Sequence, residues 1–152
     1  MEVSVLACGT NMLQTVVQEQ ADTVLTYALD KGINLIVTSA AYRVIEPMVA
    51  EAVGDRRDEF HLATTTDHWS AKWARSDVEN SLKVFRTDFI DIYQIGGISR
   101  PRGLELASAK GGAVEALGGQ TRRKNRSDRH SRSRPTCFGE GDLDGALRHS
   151  PV

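Results

Sequence analysis

The chain is poor in cysteine, in long apolar runs and in recognisable phosphate loops, and each deficit removes a class of function. Its two cysteines, Cys8 and Cys137, lie far apart and form no CxxC pair. That pattern argues against a disulfide scaffold or a cysteine zinc site, and makes a reducing compartment, the cytoplasm, the expected setting. No apolar stretch approaches the ~18 residues of a membrane helix, so no membrane partner is expected. The opening MEVSVLACGT lacks the basic segment and long apolar stretch of a secretory signal. His61, His68, His130 and His149 show no H-E-x-x-H or other close ligand spacing, so no metal site is expected.

A shortage of apolar residues also divides the chain. Residues 118–135 contain none of the types AVILMFWYC, yet hold seven Lys and Arg against one Asp. Such a tract cannot bury apolar surface to offset its ordering entropy, and disorder is expected. Residues 1–117 carry 11 basic and 16 acidic residues, so the overall charge of -1 averages an acidic body with a basic tract. The organisation expected is one domain over 1–117 and a disordered tail over 118–152. Seven cations without interleaved aromatics could hold an acidic partner only non-specifically, and a nucleic-acid partner is not expected.

Within the first 117 residues, helix and strand patterns alternate. Ala21, Val24, Leu25 and Ala28 fall on one face of a helix over 19–31, and Gly32 is a natural stop. Residues 33–37 read as a strand. Ile45, Met48, Val49 and Ala52 mark a helix over 45–53, with Pro47 tolerated in its first turn. Residues 61–65 form a second strand candidate. The box Ser76-Asp77-Val78-Glu79 suggests a regular helix from Ser76 to about Phe85, with 71–75 as an extra turn. Residues 89–95 are the third strand. Strands recurring every ~28–30 residues between helices predict an α/β protein with a parallel sheet, either doubly wound or a (β/α)8 barrel. In both, chemistry gathers beyond the C-terminal strand ends, here 37–42, 65–68 and 96–99. No GxGxxG or GxxxxGK[ST] follows a strand, which counts against the common nucleotide loops.

The segments QADTVLTYALDKGINLIVTSAAY, EAVGDRRDEFHLATTTD and SLKVFRTDFIDIYQIGGIS together resemble an aldo/keto reductase, as does the opening VSVLACGTNML. The resemblance runs from about residue 3 to 117 and covers the first half of a barrel that takes ~250 residues. It implies a partial TIM barrel, roughly the first half of the (β/α)8 fold. It also implies NADP(H) as cofactor and an aldehyde or ketone as substrate. Tyr42 stands at the position of the family's proton-donating tyrosine, and Gly9 and Thr10 at a position near the nicotinamide. Three supporting positions depart: the aspartate position is Val37, the lysine position Thr65 and the histidine position Gly96. An ordinary tyrosine has a pKa near ~10 and needs a neighbouring cation to be a useful acid at neutral pH. Carbonyl reduction by this chain is therefore expected to be negligible.

The bland alternatives are open beside these readings. Tyr42 could be a loop residue kept by descent. Thr64, Thr65 and Thr66 read as strand-end polarity, Gly96 and Gly97 as a hinge, Cys8 as a small buried hydrophobe, and Asp91 as a hydrogen-bonding residue at the strand bottom. Trp69 and Trp73 read as packing residues, with substrate stacking as the alternative. Half a barrel leaves open sheet edges, which invite self-association. The abrupt change near Gly118 suggests a shifted reading frame or a degenerate gene end. The alternative function is a non-catalytic pseudoenzyme or interaction protein with a basic tail.

Overall fold

A computed structural model of the chain describes residues 2–99 and 101–120. Four strands form one parallel sheet in sequential order: β1 (Cys8–Gly9), β2 (Leu35–Val37), β3 (His61–Thr66) and β4 (Ile92–Ile95). Between them run α1 (Gln18–Asp30), α2 (Ile45–Val53) and α3 (Ala71–Val84). After β4 come α4 (Pro101–Ser108) and α5 (Ala113–Gln120). Short 3-10 turns precede α1 and follow α2. The result is four successive β/α units, half the complement of an eight-stranded barrel.

Register decides which side chains meet the helices. Cys8 lies beside Ile36, and Ile36 beside Leu62. Ile36 and Leu62 are buried among Leu25, Ile45, Val49 and Phe85 under the helices, with Cys8 packed against them. Successive strand residues point to opposite faces. Gly9, Val37, Ala63 and Ile92 form the next row of partners, on the face away from the helices. Burial raises the pKa of the Cys8 thiol, which fits an inert packing role.

Helix ends follow local chemistry. At Gly32 the backbone has φ +81°, while Gly32 N–H bonds to Leu29 O and Ile33 N–H to Ala28 O. Glycine adopts this left-handed conformation without a Cβ penalty, so the expected stop is the observed one. At the end of α3, Arg86 takes the equivalent role with φ +48°.

Several boundaries differ from expectation. The face of α1 is Ala21, Leu25, Ala28 and Leu29, whereas Val24 is exposed. In α2, Glu46 is buried in place of Met48 and Ala52, which are half-buried. Helix α3 begins at Ala71, and Ser76–Glu79 lie inside it. Its start is fixed by long-range bonds, since Ala71 N–H meets Gly111 O and Ala113 N–H meets Trp69 O, both at 2.8 Å. Strand β2 begins at Leu35, because Asn34 is engaged through its side chain with Ser4 and Glu2. Strand β4 begins at Ile92, since Asp91 and Phe89 are drawn to Arg57. Helix α5 continues through Gly118–Gln120, where the tail was expected to begin. The rest of the basic tract, with Cys137, His130 and His149, lies outside the described residues.

Candidate functional site at the sheet mouth

The C-terminal ends of β1, β2 and β3 open on a hollow of about 230 Å³. Gly9, Thr10 and Tyr42 all line it, so the three residues picked out in the sequence come together in space. Val37, Thr65 and Asp67 line it as well.

Backbone chemistry shapes the wall. Thr10 is almost fully buried, and both its N–H (3.0 Å) and its hydroxyl (3.1 Å) donate to Val37 O. These two hydrogen bonds to one carbonyl fix the turn after β1 against the end of β2. Ser39 Oγ donates to Thr65 O at 3.0 Å, and Ala40 N–H joins the same carbonyl at 2.9 Å. Tyr42 N–H closes the turn onto Ser39 O, and Ile45 N–H takes Tyr42 O at the entry to α2. Tyr42 is thereby held where loop and helix meet, its ring half-buried against the core. The buried Thr38 also lines the hollow, and its hydroxyl has no partner among the described residues.

Gly96 does not line the hollow, and its neighbourhood explains why glycine is tolerated there. A Cβ at this position would run into the Asp67 carboxylate, and would lie 2.8 Å from Thr65 Cγ2. The carboxylate therefore occupies space that a side chain at residue 96 would need. Gly96 N–H donates to Thr66 O at 2.7 Å, and Trp69 Nε1 donates to Gly96 O at 3.1 Å. Trp69 also packs against Gly97 and Gly103, so it serves as a packing residue. Asp67 carries no helical or strand periodicity. Its place directly after β3 was the only signal that could have singled it out.

Two further polar clusters lie outside the hollow. Asp77 accepts from the Thr66 hydroxyl, and its Oδ2 is 2.8 Å from His68 Nδ1. The His68 ring lies 5.9 Å from that of the exposed Trp73. Thr66 points to the helix layer, so this pair sits on the rim over α3. At the opposite end of the sheet, Asp91 receives Leu62 N–H (2.9 Å) and Arg57 Nη2 (2.7 Å), and meets His61 Nδ1 at 3.1 Å. Burial opposes its ionisation, but the bonds from Leu62, Arg57 and His61 prevail and hold its pKa below the usual aspartate value. That end carries structure, as expected for Asp91. No group of three or more His, Cys, Asp or Glu among the described residues could hold a metal.

The aldo/keto reductase family model matches residues 5–102. The chain belongs to the aldo/keto reductase family. Aldo-keto reductase YhdN of Bacillus subtilis (strain 168) is 43% identical over 82 residues, covering 45% of this chain and 25% of that protein. Among solved structures, PA4992 of Pseudomonas aeruginosa, described as an aldo-keto reductase, superposes with a TM-score of 0.70 at 26% identity. That match covers 80% of this chain and 52% of PA4992. The holo form of AKR11C1 from Bacillus halodurans gives a TM-score of 0.63 at 27% identity, covering 79% of this chain and 44% of its own. This aldo/keto reductase chain thus spans about half the length of the solved relatives. Its four parallel strands correspond to part of their barrel. No helix among the described residues is long and apolar enough to cross a membrane.

Proposed function

We propose that this chain keeps the scaffold and the mouth tyrosine of an NADP(H)-dependent carbonyl reductase but does not itself reduce aldehydes or ketones. The observation that carries this reading is the composition of the hollow. Tyr42 shares it with Val37 and Thr65, neither of which supplies a charge. A tyrosine that protonates a developing alkoxide needs a cation beside it. Among the described residues the lining holds none, and the one charged group there is the Asp67 carboxylate. Negative charge next to a developing alkoxide disfavours the transition state that hydride transfer must pass through.

The cofactor fits no better. At about 230 Å³ the hollow lies below the ~300–1,000 Å³ of ordinary ligand pockets. It offers room for a nicotinamide-sized group at Gly9 and Thr10, not for a whole dinucleotide.

The test is NADPH consumption by the purified chain with a generic aldehyde, beside Tyr42→Phe. Consumption should equal the protein-free blank for both proteins. Turnover abolished by Tyr42→Phe would overturn the reading. Loss of a positioned acid-base system costs ~10²–10⁴-fold, a margin such an assay resolves.

A second reading rests on the seven cations of residues 118–135. Under it the chain is an interaction protein that holds acidic partners by charge alone. Salt-sensitive retention on an anionic matrix, lost on deleting 121–135, supports it, and retention unchanged by that deletion excludes it.

A further inference from the structure

We infer that the hollow at the sheet mouth is a binding site for a small primary ammonium ligand, with the Asp67 carboxylate taking its charged head. Binding of this kind rests on the reading above that the mouth lacks a cation, and it involves no reaction.

Charge is the first support. Asp67 directly follows β3, lines the hollow and is exposed to it. Among the described residues its carboxylate has no hydrogen-bond or ion-pair partner. The other carboxylates near this end are answered: Glu46 by Thr64 and Ser81, and Asp77 by Thr66 and His68. Two basic residues adjoin the hollow in sequence, and neither lines it. Arg43 is exposed, and His68 is held by Asp77 at 2.8 Å. An unanswered carboxylate in a concave wall draws in a cation and repels anions, the phosphates of a dinucleotide included.

Placement is the second. The Asp67 carboxylate stands where a side chain at residue 96 would project, and Thr65 Cγ2 borders the same space. Gly96 is pinned from both sides, its N–H bonded to Thr66 O at 2.7 Å and its carbonyl accepting from Trp69 Nε1 at 3.1 Å. A charge set into the wall in this way lowers the ordering cost that a ligand must meet.

Size and lining define the rest of the ligand. An ammonium carries three donors and no acceptor, so beyond Asp67 it can use hydroxyl oxygens, and Tyr42 and Thr65 bring theirs to the same lining. One carboxylate among scattered hydroxyls suits the compact, rotatable head of an amine better than the planar fork of a guanidinium. A cavity of about 150 Å³ holds benzene, so about 230 Å³ takes a short alkyl tail. Val37 offers an aliphatic wall, and at Gly9 even a Cβ would meet nothing within 4 Å.

The experiment titrates n-butylammonium chloride into the 152-residue chain at neutral pH and constant ionic strength, without NADPH or aldehyde, and follows backbone amide resonances. Shifts at Gly9, Thr10 and Asp67 should saturate with a Kd of ~1 mM, the strength of one charge-assisted contact and a short apolar tail. Butyrate and n-butanol, which lack the positive charge, should give no saturable shift. Asp67→Asn should weaken the ammonium ~tenfold or more. Gly96→Ala keeps the charge but claims the space of the carboxylate, and should weaken binding as well. Asp67 is exposed, so its variant leaves the core intact, and far-UV dichroism should match the parent. A parent that shows no saturable shift overturns the inference. So does equal affinity for n-butanol, or an affinity that either variant leaves unchanged. A failed titration does not touch the aldehyde assay, and turnover in that assay contradicts the proposed function whether or not the amine binds.

Discussion

At the scale of single residues, the mouth and the base of the sheet have opposite chemistry. At the mouth, a tyrosine stands among hydroxyls, an aliphatic side chain and one carboxylate. At the base, Asp91 is met by a backbone amide, a guanidinium and an imidazole. Arg57 is itself held by Phe60 O at 2.8 Å, with its guanidinium 4.3 Å from the Phe89 ring centre. Both partners of this pair are mostly buried. Removing one member of a buried pair leaves the other uncompensated, so Asp91→Ala should cost about 3 kcal/mol, read from denaturant unfolding. The pH dependence follows from the depressed pKa of Asp91. Its stabilisation is full above the unfolded value of ~3.9 and is lost as pH falls through the folded value. The acid-side loss of stability in the parent should therefore shrink in Asp91→Asn. An unchanged acid limb would contradict the assignment. The sequence marked Tyr42, Gly9 and Thr10, and they do share one hollow. It placed Asp67 only within the strand-end segment 65–68 and gave it no role, because the space its carboxylate fills opens only where residue 96 lacks a side chain.

At the scale of elements, one carboxylate ties three of them together. Glu46 of α2 accepts from Thr64 of β3 at 2.7 Å and from Ser81 of α3 at 2.9 Å. Burial raises its pKa, opposed by the bonds from Thr64 and Ser81, with nearby Asp77 adding to the rise. A carboxyl with a raised folded pKa stabilises fully below its unfolded value of ~4.3 and loses that contribution as pH rises through the folded value. Glu46→Gln should therefore gain stability relative to the parent as pH rises from 4 toward neutrality, in thermal melts across that range. A difference that stays flat with pH would contradict the raised pKa. Glu46 also shows why helix faces were only partly legible. Apolar spacing located α1, α2 and the stop at Gly32, since a stripe of apolar side chains reports directly on burial. It placed Ile45, Met48, Val49 and Ala52 of α2 against the core but missed Glu46, because a buried acid reads as a surface residue until its two hydroxyl partners are known. It missed α4 for a different reason. PRGLELAS is only eight residues long, opens on proline and has glycine in its interior, and its Gly103 packs against the Trp69 ring and the Ile98 backbone. Residues 71–75 were read as an extra turn and prove continuous with α3, whose start is fixed by backbone bonds across some 40 residues that no local pattern carries.

At the scale of the whole molecule, four β/α units are assembled around a main core and a smaller alanine cluster between α3 and α5, on a family scaffold whose solved relatives are about twice as long. The parallel α/β class was legible because strands recur at a fixed interval between helices. Its half extent was legible because the family segments stop after the fourth unit. The central claim is that this core folds as a unit while its mouth no longer serves NADP(H) chemistry. The most direct measurement is a far-UV dichroism melt of the chain with and without excess NADPH. A ligand that binds only the folded state adds ~2.7 kcal/mol at 100 times its dissociation constant. One cooperative transition is expected, with a midpoint that NADPH leaves in place. A midpoint that rises with NADPH concentration would contradict it, and would return this chain to the working reductases of its family.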